Sequence, residues 1–116
     1  MTLRYVWAAV AAAGLAATEH AAALELLDCN VAEVATLQQR MHVRCTTGRN
    51  GIIYFALGTE RNAAESAFAA RALQIANAAL VAGRPLLVRY EANDTSGTAI
   101  GCLASDCRLI HTIYIR

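Results

Sequence analysis

Alternating apolar and polar residues predict that the first half of the chain after residue 24 forms strands. Residues 25–35 (ELLDCNVAEVA) and 40–46 (RMHVRCT) are the first two candidates. In the second, apolar side chains at odd positions alternate with polar ones at even positions, which is the period of a half-buried strand and predicts that His42 is exposed. After the turn GRNG, the run IIYFAL (52–57) is rich in β-branched and aromatic residues and predicts a third strand.

The period then changes from that of a strand to that of a helix. Asn62 is a candidate N-cap, and Glu65 stands three residues later in the capping-box position. The spacing predicts a helix over 63–82 that ends at Gly83 before Pro85. One apolar stripe on this helix is predicted to face the core, and it consists of Phe68, Ala72, Ile75 and Ala79.

Other small residues, with one arginine, lie away from this stripe: Ala67, Ala70, Arg71 and Ala78. Two interpretations of them stand side by side. Either they allow close approach to a second helix from a neighbouring subunit, or they reflect a chain that is rich in alanine throughout.

Strand character returns after the helix in PLLVRYE (85–91). A turn at residues 93–97 leads to TAIGC (98–102), and the chain ends in RLIHTIYIR (108–116). This order predicts a mainly β fold, an OB-fold-like β-barrel, with one long α-helix between strands 3 and 4. A ferredoxin-like alternation would need a second helix.

The N-terminal segment has the three parts of a secretory signal peptide. Arg4 precedes an apolar stretch from Tyr5 to Ala17, and small residues follow up to the Ala-x-Ala site at 21–23. The apolar stretch is shorter than the ~20 residues of a membrane-spanning helix. We therefore predict a signal peptide at 1–23, a single domain at 24–116, and a secreted or periplasmic bacterial protein without membrane insertion.

The chain has four cysteines, all after the predicted cleavage site, and an even number in a short exported chain is typical of a disulfide framework. Cys102 and Cys107 flank a short turn that suits a bridge between them. Cys29 and Cys45 lie symmetrically about Leu37 in the arms of a predicted hairpin, with Val31 facing Val43. A zinc site of Cys102, Cys107 and His111 is the alternative, although it lacks the C-x2-C spacing of tight zinc sites.

Charge and motifs narrow the function classes. The formal net charge is +1, and the sequence contains neither lysine nor a basic stripe with interleaved aromatics, which argues against a nucleic-acid partner. No nucleophile motif, Gly-rich phosphate loop or carboxylate cluster points to catalysis, to a metal or to a cofactor. The sequence therefore predicts a binding protein and not an enzyme. Tyr90 shares a strand face with Leu86 and Val88, which is typical of a tyrosine in a core or at a barrel rim.

The segment ANAALVAGRPLLVRYE (76–91), followed by TAIGC running into a C-x4-C pair, resembles the B subunits of subtilase cytotoxin and of typhoid-type toxins. CTTG (45–48) is similar to a turn of that family. The resemblance covers residues 29–107, with its identities mainly in the last third.

The resemblance implies an OB-like barrel that assembles as a homopentamer around a pore lined by helices. It also implies binding of sialylated host glycans and carriage of an enzymatic toxin A subunit. Of the sugar-contacting residues of the family, only Tyr90 has a counterpart, so the resemblance makes Tyr90 the candidate glycan-binding residue. Two other functions remain open: a stand-alone periplasmic protein of the same fold without glycan binding, and a secreted enzyme inhibitor that presents the 102–107 loop.

Overall fold

A computed structural model describes residues 23–116. The predicted signal peptide, except Ala23, lies outside this part of the chain. The strands of the described part are β1 Leu24–Cys29, β2 Val31–Thr36, β3 Arg40–Arg49, β4 Ile52–Gly58, β5 Leu86–Glu91, β6 Cys107–Leu109 and β7 Thr112–Ile115. The long helix α1 spans Ala63–Ala82, and a short 3-10 helix spans Ser96–Ile100.

The strands form two sheets. One has three strands in the order β1-β5-β7, and the other has four in the order β2-β3-β4-β6. Neighbouring strands are antiparallel except for β4 and β6, which are parallel. The prediction of a mainly β protein with one long helix is confirmed, and the arrangement is consistent with an OB-like fold. Over residues 23–116, however, the two sheets do not join into one closed hydrogen-bonded barrel.

The predicted first strand, residues 25–35, is two strands. The chain leaves the three-stranded sheet at Cys29, passes Asn30, and enters the four-stranded sheet at Val31. The amide N–H of Thr46 donates to the carbonyl oxygen of Asn30 at 2.9 Å and fixes the crossing point. Because of this division, α1 follows the fourth strand and not the third.

TAIGC (98–102) does not add a strand to either sheet. Residues 96–100 form the 3-10 helix, which ends at Gly101 in the left-handed region with φ of 83°. Gly97 allows this tight turn to lie against Cys102, because a Cβ atom at Gly97 would come within 2.9 Å of the Cys102 Cβ. The alternation of residue types in the sequence does not reveal this close contact.

The predicted bounds and caps of α1 are confirmed. The side chain of Asn62 accepts a hydrogen bond from the Glu65 backbone N–H at 2.8 Å, and Gly83 ends the helix in the left-handed region. The buried face consists of Ala69, Ala72, Ala76 and Ala79, with Phe68 and Ile75 partly buried beside it. Ala67, Ala70, Arg71 and Ala78 are exposed and lie away from the buried stripe, as predicted.

The two disulfide pairs are as the spacing predicts, but one of them has a different setting. In the β2–β3 ladder Val31 faces Cys45 and Val34 faces Val43, so the predicted pairing of Val31 with Val43 is wrong. Cys29 instead lies in β1 opposite Leu86 of β5. The Cys29–Cys45 disulfide therefore links the two sheets and does not cross a hairpin.

The main core lies between the two sheets and α1 and includes Val43, Phe55, Leu86, Val88 and Tyr90, all at most 1% exposed. Among residues 23–116, no helix has the length and apolar composition needed to span a membrane.

Candidate functional site

The face of the four-stranded sheet that turns away from α1 is covered by the segment 96–107, which we call the cover. Arg40 and His42 of β3 lie on this face, and the cover packs over it. A small second core joins the two layers and consists of Ala56, Ile100, Cys102 and Cys107, with Tyr54 and Leu109 at its margin.

Covalent and polar contacts hold the covering segment in place. The Cys102–Cys107 disulfide closes its loop. The carbonyl oxygen of Asp106 accepts from the backbone N–H groups of Ile53 and Tyr54, both at 3.0 Å, which ties the loop to β4. Arg108 donates from Nε to the carbonyl oxygen of Ala92 at 2.6 Å and from Nη1 to that of Ala104 at 2.7 Å. These contacts tie the covering segment to the sheet.

Between the cover and the sheet lies a cavity of about 220 Å³. This volume is below the roughly 300–1,000 Å³ of sites for drug-sized ligands and suits a single small ring. The cavity is lined by Arg40, His42, Tyr54, Gly101, Leu103, Asp106 and Cys107. We refer to it as the β3 cavity.

His42 is the buried polar residue of this site. It is only 7% exposed, and its Nε2 lies 2.8 Å from Oε1 of Glu33 on the neighbouring strand β2. This hydrogen bond, together with the nearby charge of Arg44, holds the pKa of the Glu33 carboxyl below its ordinary value of 4.5. The imidazole also packs edge-on against Tyr54, with the ring centroids 5.1 Å apart. Its Nδ1 atom is buried without a hydrogen-bond partner among the described residues.

Arg40 lies two residues before His42 on the same face of β3. Its Nη1 donates to the carbonyl oxygen of Ile100 at 3.1 Å, while its Nε is buried and has no partner in the described part of the chain. Gly101 leaves room for this position, because a Cβ atom there would force Nη1 of Arg40 to shift. The backbone of the cover and the arginine of the sheet are therefore fitted to each other.

Buried polar groups are nearly always hydrogen-bonded, so unpartnered ones point to a missing partner. Within residues 23–116, the buried side-chain atoms without a partner are Arg40 Nε and His42 Nδ1, and both residues line the β3 cavity. Two further cavities of the described chain, one beside the C-terminal end of α1 and one near His111, are lined by neither Arg40 nor His42.

Sequence reasoning missed this site because the alternation along β3 predicts that its polar residues face solvent. That prediction is wrong for His42, because the segment 96–107 returns to cover the face. The signal in the sequence is the C-x4-C loop together with a row of polar residues on a strand, but nothing local shows that the two meet.

Tyr90, the candidate glycan-binding residue, lies in the main core. It is 1% exposed and packs against Phe55 with the ring centroids 4.9 Å apart. Burial raises the pKa of the Tyr90 hydroxyl above its ordinary value. Its position agrees with the core interpretation, since neither face of the ring is open for stacking on a sugar.

All four cysteines are joined in the two disulfides, Cys29–Cys45 and Cys102–Cys107. His111 lies between β6 and β7, is exposed, and has its Nδ1 2.7 Å from the hydroxyl oxygen of Thr112. Residues 23–116 contain no group of three or more His, Cys, Asp or Glu side chains placed to hold a metal ion.

Comparison with known proteins leaves the site to be interpreted from its own chemistry. No protein-family model, curated protein or solved structure matches this chain.

Proposed function

We propose that this chain is an exported, non-catalytic protein that binds glycans through the β3 cavity. The observation that carries the proposal is the pair of buried, unpartnered polar atoms, Arg40 Nε and His42 Nδ1, in residues that line one small cavity of the described chain. A bound ligand that satisfies both atoms recovers the cost of leaving them unpaired, about 1–3 kcal/mol for each group.

The composition of the cavity favours a sugar. It combines a guanidinium, an imidazole, a phenol and a carboxylate with the apolar surface of Leu103 and of the Cys107 disulfide. Sugar hydroxyls both donate and accept hydrogen bonds, and sugar rings also have apolar faces. Sialylated glycans remain among the candidates, because a carboxylate pairs well with an arginine.

Export is supported by the predicted signal peptide and by the two disulfides, which persist mainly in oxidising compartments. The resemblance to toxin B subunits is the basis for proposing a homopentamer that carries a toxin A subunit. One small site gives weak binding, so function on a cell surface would need several sites in one assembly.

The test combines the mass of the purified oxidised protein, measured by light scattering, with a glycan array. We expect a mass near five subunits and retention of a defined set of glycans. Arg40→Gln should abolish retention. Arg89→Gln, the same change at an exposed position on the other sheet, should not. A monomer that retains no glycan would contradict the proposal and leave the stand-alone periplasmic protein.

Tyr90→Phe tests the residue that the resemblance favours. This change keeps the ring in the core and removes only the hydroxyl group. We expect the array pattern to be unchanged, because the ring is buried against Phe55. Loss of glycan retention in a folded Tyr90→Phe protein would return the site to Tyr90.

A specific observation also favours the inhibitor as a second candidate. Leu103 projects from the disulfide-closed loop with 62% of its surface exposed, as expected of a side chain offered to an enzyme pocket. Chymotrypsin, whose primary pocket is hydrophobic, is the enzyme to test. Inhibition by the native protein but not by Leu103→Asp, with the 102–107 loop left uncut, would favour this candidate over the first.

A further inference from the structure

We propose that Arg40 and His42 select a ligand that presents a hydroxyl group as donor beside an oxygen acceptor, and that Glu33 is the positioning residue that fixes the imidazole for this task. The inference rests on the proposed glycan function and names the chemistry that the glycan must offer.

The first step concerns the tautomer of His42. An ionised carboxylate can only accept hydrogen bonds, so Nε2 must carry the proton in the 2.8 Å contact with Glu33. In a neutral imidazole the other nitrogen is then an acceptor. Nδ1 is buried, belongs to a residue that lines the cavity, and has no partner among the described residues, so it requires a donor from a bound molecule.

The second step concerns Arg40. Every nitrogen of a guanidinium donates and none accepts. Nη1 is committed to the carbonyl oxygen of Ile100, which holds the side chain against the cover and leaves Nε without a partner in residues 23–116. Nε therefore requires an acceptor from a ligand.

One residue requires an acceptor and the other a donor, and both residues line the same cavity. Arg40 and His42 are two residues apart on the same face of β3, so their Cα atoms are about 7 Å apart. Two hydroxyl groups of one sugar ring meet both requirements, one donating to Nδ1 and the other accepting from Nε. Tyr54 and Asp106 line the same cavity and bring further polar groups to it.

This pairing discriminates against simple anions. A carboxylate or a phosphate dianion satisfies Arg40 but brings no donor, so Nδ1 of His42 stays unpaired. A site whose buried polar groups are left unpaired rejects such an analogue strongly. Binding should therefore follow the hydroxyl groups of the ligand and not its negative charge.

The test measures the side-chain nitrogen resonances of His42 by long-range ¹H–¹⁵N NMR on the purified, oxidised, ¹⁵N-labelled protein. D-galactose, D-mannose and N-acetylneuraminic acid are the hydroxylated probes, and acetate is the acceptor-only probe. We expect Nδ1 to be unprotonated in the free protein. At least one sugar should shift its resonance in the direction of hydrogen-bond acceptance, and acetate should leave it unchanged.

Glu33→Gln is the variant that tests positioning, and Glu60→Gln, at an exposed site outside the strands, is its matched control. A glutamine side chain at position 33 can donate as well as accept. We therefore expect this variant to show a mixture of His42 tautomers and about tenfold weaker sugar binding, which corresponds to roughly 1.4 kcal/mol. The control should keep both the native tautomer and the native Kd. A merely structural role for Glu33 would leave the tautomer unchanged.

Each outcome decides between the two proposals. A proton on Nδ1 in the free protein, or acetate acting as well as the sugars, overturns the inference but not glycan binding. Sugar binding that leaves Nδ1 unaffected does the same and places the glycan elsewhere. If Nδ1 is unprotonated and no probe or array glycan binds, water fills the cavity, and the proposed function fails together with the inference.

Discussion

Cys29 in β1 and Cys45 in β3 are joined by a disulfide that crosses from the three-stranded sheet to the four-stranded sheet. Both residues are at most 1% exposed. Within residues 23–116 the two sheets share the main core but no strand ladder, so this bond is a covalent cross-link between them. Cys102–Cys107, by contrast, closes a local loop over the β3 cavity.

The two disulfides should differ in their contribution to stability. A bridge stabilises chiefly by restricting the unfolded chain, and the restriction grows with the number of residues enclosed. The sequence separation is 16 for Cys29–Cys45 and 5 for Cys102–Cys107. We expect the double change Cys29→Ala/Cys45→Ala to cost about 3 kcal/mol and Cys102→Ala/Cys107→Ala about 2 kcal/mol.

Guanidinium unfolding of the two double variants and the native protein measures both differences. Alanine avoids burying a hydroxyl group at these positions, so the comparison reports mainly on the loops. A larger loss from the shorter loop would contradict the entropic account. It would mean that the 102–107 loop stabilises the sheet beyond the effect of its own closure.

The N-cap of α1 should be worth about 1 kcal/mol. Asn62→Ala removes the acceptor of the Glu65 backbone N–H, a change that typically costs about 0.5–2 kcal/mol. Asn77→Ala is the matched control, because Asn77 is exposed in the interior of the same helix, where alanine is favoured. Urea unfolding should show a loss for the first variant and none for the second. Equal effects would contradict a capping role.

The stability of the protein should fall in acid partly through Glu65. Nε of Arg61 donates to Oε1 of Glu65 at 2.8 Å, and the Gly58 backbone N–H donates to the same carboxylate. These hydrogen bonds hold the pKa of Glu65 below its ordinary value of 4.5. Because the folded state favours the carboxylate, this contribution is present above that ordinary value and is lost as the pH falls through the lowered pKa.

Urea midpoints measured from about pH 6 to about pH 3 test this expectation. Glu65→Gln should lower stability at the upper end of the range and flatten the decline below pH 4.5. Glu60→Gln, at an exposed position before the helix, should keep the native slope. A native slope in Glu65→Gln would assign the acid sensitivity to other carboxyls, such as Glu33 or Asp94, whose pKa values are also lowered.

The capping box shows how far local sequence reasoning reaches. Asn62, Glu65 and Gly83 predict both ends of α1, because capping depends only on neighbouring residues. One detail differs from the standard capping box. In that motif the side chain at the Glu65 position accepts from the N-cap backbone N–H, whereas here the Glu65 carboxylate accepts hydrogen bonds from Arg61 and Gly58.

Features that depend on distant segments could not be predicted in this way. The break at Asn30 depends on which sheet each half of residues 24–36 joins. Apolar and polar residues can alternate in the same way in a strand of either sheet, so the alternation does not show the break. The burial of His42 likewise depends on residues 96–107, which lie more than fifty positions away. The disulfide pairs were predictable because few pairings exist, whereas their place between or within sheets was not.

Gly101 and Gly83 form a natural pair for testing how the cover positions Arg40. Both have positive φ, 83° and 64°, so alanine at either position costs about 1–2 kcal/mol of backbone free energy. Their surroundings differ. An added Cβ atom at Gly83 meets nothing of the described chain within 4 Å, whereas one at Gly101 would clash with Nη1 of Arg40.

We therefore expect both Gly→Ala variants to lose similar stability in urea unfolding, while only Gly101→Ala alters the β3 cavity. Its Cβ atom would push the guanidinium away from the carbonyl oxygen of Ile100 and change the surroundings of His42 and Tyr54. The readout is the NMR spectrum of the His42 and Tyr54 rings in the two variants. Native ring resonances in Gly101→Ala would mean that Arg40 adjusts without disturbing the cavity, and the fit between cover and sheet would then lose its role in placing the arginine.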